Sequence, residues 1–224
     1  MTFHNYLNYI ATNENIDAII KGLDVNNNDK VLSILGSGDQ AFAMLEHSKV
    51  IATDTIRAQL KFVNKRIEYL KENNFQDFLM KNYSVKKTRE YIEGVITRTG
   101  EYVLEFINLR NNYFLKEGRL ENIKDNLDNL KIFNKNIIDC HNEEFNKIYF
   151  SNALRAGTNI TELVDKLPHN GLIYLSNNKV ANSIIEYSDK YSVVKDYELS
   201  NIACELEKTS YEKPGVYRKI VKKN

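Results

Sequence analysis

Four consecutive residues, Gly36, Ser37, Gly38 and Asp39, interrupt an apolar run at Val31–Leu35, and a carboxylate, Asp54, ends a second apolar run at Val50–Thr53. Glycines after a strand let the backbone come close to a ligand, and a helix that starts there offers free N–H groups and the positive end of its dipole. An acid at the end of the next strand is placed to accept hydrogen bonds from a ribose diol. Asp54 follows Gly38 by sixteen residues, slightly fewer than the roughly twenty of a dinucleotide fold. Measured against G-x-G-x-x-G, Ala41 stands where the third glycine would be, and no Lys-Ser/Thr pair follows to make a P-loop. An acid in the turn, Asp39, would repel a pyrophosphate. It suits a ligand that carries an ammonium group and a carboxylate, such as S-adenosylmethionine. The plainer alternative, a turn that only links strand to helix, stays open on these residues alone.

The elements that must position these groups are legible around them. Val31–Leu35 reads as a buried strand, and Asp39 opens an amphipathic helix to about His47 with Ala41, Phe42 and Leu45 on one face. Val50–Thr53 reads as a second strand. A helix from Thr55 to about Asn73 carries Leu60, Val63, Ile67 and Leu70 at three- and four-residue spacing. Strand, glycine turn, helix, strand, acid, helix is the opening of a parallel α/β sheet. Residues 75–130 show helical periodicity (Ile92, Ile96, Val103, Phe106) and read as an inserted helical cap jointed at Gly94, Gly100 and Gly118. Further strands are expected at Asn136–Asp139, Lys147–Phe150 and Gly171–Leu175. Helices are expected at Thr161–Leu167, stopped by Pro168, and near Val180–Tyr187. Tyr191–Lys195 and Val216–Val221 alternate as edge or antiparallel strands do. The whole, 1–224, reads as one domain of six or seven strands.

Composition narrows the classes. In 224 residues, 42% are hydrophobic and 27% charged, which suits a folded globular chain and neither a membrane-embedded nor a disordered one. The 31 basic and 30 acidic residues give no strong global field, so no nucleic-acid partner is expected. The N-terminus has no positive region followed by a long apolar stretch, and no run approaches a transmembrane helix. The chain reads as cytoplasmic. Cys140 and Cys204 lie far apart without metal-ligand spacing and read as buried free thiols. His4, His47, His141 and His169 share no spacing, and no metal site is expected.

Four segments also carry a resemblance. VLSILGSGDQAFAML resembles the first motif of the S-adenosylmethionine:diacylglycerol 3-amino-3-carboxypropyltransferases, the betaine-lipid synthesis enzymes. ATDTIRAQ, with Asp54 and Gln59, resembles their second motif. YFLKEGRLE, with Gly118, Arg119, Leu120 and Glu121, resembles a third, and IYFSNAL, with Ser151 and Asn152, a fourth. The resemblance implies a Rossmann-like class I methyltransferase sandwich, α/β with a mostly parallel sheet, that binds S-adenosylmethionine. By position Gly36, Ser37, Gly38 and Asp39 would approach the methionine moiety. Asp54, with Thr55 and Gln59 beside it, would hold the ribose. Asp139 would sit near the adenine amino group, and Ser151 and Asn152 would face the sulfonium.

The activity implied is transfer of the 3-amino-3-carboxypropyl group to a small-molecule or lipid acceptor. A methyltransferase is the alternative, and a lyase or a non-catalytic binding module stands behind it. Arg119 could make a structural ion pair or bind the acceptor or a carboxylate. Tyr113 and Glu121 are further candidates on the acceptor side, and Tyr83, Tyr113 and Glu121 for a general base. No catalytic residue is assigned. Lys86-Lys87 and Lys222-Lys223 read as solvated faces.

Overall fold

The computed structural model describes residues 9–80, 100–151, 159–176, 190–207 and 214–221. Seven strands form one sheet: β1 Lys30–Ile34, β2 Lys49–Thr53, β3 Leu130–Phe133, β4 Lys147–Phe150, β5 Leu172–Leu175, β6 Tyr191–Lys195 and β7 Gly215–Val221. Their order is β3-β2-β1-β4-β5-β7-β6. The first five are parallel, and β7 runs antiparallel between β5 and β6. This is a doubly wound, Rossmann-like α/β sheet, and its strand order reverses between β1 and β4. In such a sheet a ligand sits outside the carboxyl ends of the strands at that reversal.

The central strands are buried on both faces, and every residue of β4 and β5 is buried, as a parallel sheet with covered faces requires. One face packs Val31, Tyr149 and Tyr174 against helices α1 (Ile16–Gly22), α2 (Asp39–Leu45) and α3 (Arg57–Lys71). The other packs Leu32, Ile148 and Phe150 against α7 (Thr161–Lys166). Between β2 and β3 lie α4 (Phe75–Phe78), α5 (Gly100–Phe114) and α6 (Arg119–Asp125). Phe78, Phe114, Leu120 and Ile123 join the same apolar cluster as α2, so these helices are built into the main core. The helix α8 (Tyr197–Leu206) is capped by Asp196.

Several expectations are corrected. Asn136–Asp139 is not a strand. Asn136 accepts from the Ile138 N–H, and Ile137–Cys140 forms a short 3-10 turn. The third strand lies earlier, at Leu130–Phe133, starting at the last residue of the span read as helical. It is only four residues long and half-buried at the sheet edge, and no glycine or proline separates it from the helical stretch before it. Helix α2 ends at Leu45, not His47, and all seven of its residues are buried, so it is enclosed and not amphipathic. Cys140 is buried but Cys204 is only half-buried, and both are free thiols. Helices α1 and α8 are additions to the sequence reading, and the helix expected near Val180–Tyr187 falls outside the described residues. Among those residues, no helix is long and apolar enough to cross a membrane.

Candidate functional site

The turn after β1 is tied to its neighbour strand by the Leu35 N–H, which donates to Thr53 O at 2.8 Å, and closes with Gly38 N–H to Leu35 O at 2.7 Å. Gly36 has φ +49° and Gly38 φ +86°, the left-handed region where a Cβ is costly. The two glycines face different surroundings. A Cβ on Gly36 would meet nothing within 4 Å, whereas one on Gly38 would lie 3.0 Å from both Phe42 and Val63. Gly36 therefore presents bare backbone to open space, and Gly38 lets α2 pack against α3.

Asp54 stands at the carboxyl end of β2, joined to β3 by its N–H to Phe133 O at 3.2 Å and by the Asn134 side chain, which donates to Asp54 O at 3.0 Å. Its carboxylate accepts from the Ile56 N–H at 2.8 Å. Burial raises its pKa above the ordinary aspartate value, and the N–H groups of Ile56, Gly36 and Thr55 offset only part of that. The acid and the open glycine are thus electrostatic neighbours at the mouth of the sheet. Thr55 beside them is exposed, and Ser151, directly after β4, is half-buried. Asp139 is exposed in the 3-10 turn that follows β3. Asn152 lies outside the described residues.

Asp39 is corrected from ligand contact to buried anchor. Its Oδ1 accepts from Arg66 Nη1 at 2.7 Å and Arg110 Nη1 at 3.1 Å, and its Oδ2 from the Thr12 N–H at 2.8 Å and Ser37 Oγ at 2.7 Å. Every partner is buried. Burial opposes ionisation of Asp39, but Arg110, Arg66, Ser37 and Thr12 outweigh it and hold its pKa below the ordinary value. Arg66 reaches the turn as well, donating to Ser37 O at 2.8 Å. Its guanidinium lies 4.3 Å over the Phe78 ring and 5.0 Å over Phe42, and Nε and Nη2 have no hydrogen-bond partner among the described residues, so the rings take up the rest of the cation. Burial lowers the Arg66 pKa to about 10.

The segment before α1 crosses this cluster as a strap. Tyr9 N–H donates to Gln59 Oε1 at 3.1 Å, and Gln59 Nε2 returns to Tyr9 O at 2.5 Å. Arg110 donates to Ile10 O at 3.2 Å. Gln40 Nε2, in the first turn of α2, donates to Thr12 Oγ1 at 2.6 Å and to the Tyr149 hydroxyl at 3.2 Å. Tyr149 in turn donates to Glu14 Oε2 at 2.5 Å. The side chains of Gln59 and Ser37 are therefore spent on protein contacts.

Tyr113, Arg119 and Glu121 lie elsewhere. Arg119 Nε is 2.8 Å from Glu46, the Tyr113 hydroxyl donates to the same carboxylate at 3.1 Å, and the guanidinium stacks 3.8 Å over the Tyr113 ring. Glu46 caps the end of α2 remote from the glycine turn, about 10 Å along the helix at 1.5 Å per residue. Of the two readings of Arg119, the structural ion pair is the one present. Glu121 is exposed on α6. Tyr83 lies outside the described residues.

Sequence reasoning passed over Thr12, Glu14, Gln40, Arg66, Arg110 and Tyr149. The available signal was Arg66 itself: it falls on the apolar face of α3, three residues after Val63 and four before Leu70, where a charge needs a buried partner.

No sequence-family model matches the chain, and no curated protein matches it, so neither supports the resemblance to aminocarboxypropyltransferases. Solved structures of similar shape include an rRNA methylase from Streptococcus thermophilus, 11% identical, with 93% of this chain and 95% of that one covered at a TM-score of 0.46. The rRNA methyltransferase aviRa from Streptomyces viridochromogenes is 10% identical, with 91% and 82% covered at 0.45. A precorrin-6y C5,15-methyltransferase from Geobacter metallireducens is 9% identical, with 92% and 87% covered at 0.42. At such scores the fold rests on the sheet order itself. The expectation that nucleic acid is no partner is corrected: two of these similar chains are named as enzymes of rRNA, so a near-neutral charge balance does not exclude it.

Proposed function

We propose that this protein binds S-adenosylmethionine and transfers its methyl group. The observation that carries the reading is the pairing of Gly36, whose backbone faces open space, with the half-buried Asp54 carboxylate at the carboxyl edge beside the β1/β4 reversal. This combination suits an adenosyl group: Asp54 accepts from the ribose hydroxyls, and the glycine turn lets the chain of the ligand lie against the backbone. The cofactor would bring an activated sulfonium, which needs no activation from the protein. The residues at this edge orient it and the acceptor, and orientation alone is a large part of the rate.

The second reading, transfer of the 3-amino-3-carboxypropyl group, is favoured by the likeness of the VLSILGSGDQAFAML segment to that family. Two of the four segments that carry this likeness are occupied otherwise here, Gln59 by the Tyr9 backbone and Arg119 by Glu46. Methyl transfer is therefore the primary reading.

The deciding experiment incubates the protein with S-adenosylmethionine and with RNA, lipid and small-molecule fractions of a cell extract, and identifies the nucleoside released. S-adenosylhomocysteine supports methyl transfer, and methylthioadenosine supports the second reading. Failure of S-adenosylmethionine to bind in calorimetry overturns both.

A further inference from the structure

The two ends of the sheet are built differently. At one, β3 is four residues long and carries the exposed Lys131 at its second position, a short, charged edge of the kind that discourages pairing with another chain. At the other, β6 pairs with β7 residue for residue, without bulge or proline, and its one charge, Lys195, stands at its end. Among the described residues five large apolar side chains are exposed. Three of them, Val194, Tyr197 and Val221, lie on or directly after these last two strands.

The hydrogen-bond phase of β6 decides which backbone groups face outward. The Asp196 N–H donates to Val216 O at 2.9 Å, so the even-numbered residues of this stretch exchange their bonds with β7. In an antiparallel ladder only alternate residues do so, and the others point away. The N–H and C=O of Val193 and Lys195 therefore face off the sheet, and no described residue takes them up.

We infer that two copies of this chain pair through β6 about a two-fold axis at Val193, joining their sheets edge to edge. In that register Val193 exchanges two hydrogen bonds with its own counterpart, and Lys195 comes opposite Tyr191. An axis at Lys195 would set two lysines face to face, which is unfavourable, and one at Tyr191 would leave most of the strand unpaired. With the axis at Val193, Lys190 of each copy meets Asp196 of the other, so unlike charges close both ends of the ladder. Asp196 also holds Arg218 at 2.6 Å, and its carboxylate would then serve two cations. Each exposed Val194 comes opposite Ser192 of the second copy, in the closer, non-hydrogen-bonded kind of pair, and is covered.

The helices leave room for this. Helix α8 lies against β7, and β7 and its counterpart would stand three strand spacings apart, about 14 Å, more than the roughly 8–10 Å that packed helices need. β6 runs in the same direction as β1, so the two glycine turns would lie at opposite ends of the dimer. The inference is independent of the proposed function. One short strand per copy makes a small interface, and the dimer is weak and reversible.

Sedimentation velocity of the whole protein over a hundredfold range of concentration tests it, and a shift from monomer to dimer mass is expected. Val193→Pro removes the outward N–H without touching a bond to β7, as proline is tolerated where an edge N–H faces away. Val194→Lys puts a charge into the covered face. Each is expected to weaken association at least tenfold with thermal melting retained. If Val193→Pro does not fold, Val194→Lys and a cross-link decide. Val193→Cys places two thiols on the axis with Cα atoms about 5.5 Å apart, within disulfide range. Mild oxidation should link this variant and leave wild type, with its own Cys140 and Cys204, unlinked. Wild type that stays monomeric throughout overturns the inference. So does a dimer indifferent to both substitutions, or a Val193→Cys variant that does not link.

Discussion

The carboxylate of Asp39 and the guanidinium of Arg66 meet at 2.7 Å with both side chains withdrawn from solvent, and Arg110 approaches the same oxygen at 3.1 Å. One acid therefore joins the glycine turn, α3, α5 and the strap. Removing it leaves two cations buried without their counter-ion. Asp39→Ala is expected to destabilise the fold by about 3–5 kcal/mol, the cost of breaking a buried pair from one side, measured by urea unfolding. A change below about 1 kcal/mol would mean that the cluster is solvated in solution.

The pH dependence of that anchor has a definite sign. The folded pKa of Asp39 is lowered, so its contribution is fully present above the ordinary aspartate range. It is lost as pH falls through the lower folded value. Acid unfolding of wild type should therefore gain a component below the ordinary aspartate value that Asp39→Ala lacks. Melting temperatures from pH 7 downward check this.

The two glycines of the turn separate binding from stability. Gly36→Ala is expected to cost about 1–2 kcal/mol for its left-handed backbone alone and to weaken S-adenosylmethionine binding, because the methyl group enters the space where ligand would lie. Gly38→Ala adds to the same strain a contact at 3.0 Å with Phe42 and Val63, and should lose the greater stability. Paired thermal melts and titrations of the two variants read this contrast. Equal melting losses with unchanged affinity for Gly36→Ala would count against the site.

Asp54 shows the opposite sign to Asp39. Its folded pKa is raised, so ionisation opposes folding, and any stability it contributes is lost as pH rises through the folded value. Asp54→Asn should melt higher than wild type near neutral pH, with the gap closing as pH falls below the ordinary aspartate range. It should also bind S-adenosylmethionine at least tenfold more weakly. A variant that gains stability and keeps full affinity would remove Asp54 from the site.

The cluster of Glu46, Tyr113 and Arg119 is expected to serve the fold alone. Arg119→Met leaves Glu46 and the Tyr113 ring without their cation, and should cost about 1–3 kcal/mol with S-adenosylmethionine affinity unchanged. A selective loss of turnover in a stable variant would restore an acceptor role to Arg119.

The parallel core was readable because β1, β2, β4 and β5 are continuous apolar runs with sharp ends at Gly36, Asp54, Ser151 and Ser176. β3 was not, since Leu130–Phe133 follows the helical stretch with no glycine or proline between them and Lys131 interrupts its apolar residues. Spacing located the glycine turn and Asp54. It could not tell that Asp39 points inward, because its partners Thr12, Arg66 and Arg110 come from segments far apart in the chain. Gln59 shows the same limit. It lies in the most buried stripe of α3 with Val63, Arg66 and Leu70, and its amide engages the backbone of Tyr9, fifty residues upstream.

The reversal of sheet order also governs when the site can exist. One flank of β1 is supplied by Lys49–Thr53, but the other is β4, whose partner for Val31 is Lys147. During synthesis a nascent chain carries its glycine turn out of the ribosome long before that second wall is made. The closing of this gap is a large loop, and large loops close slowly. A truncated product that stops short of Phe150 would retain the turn's sequence without the neighbour that shapes one side of it.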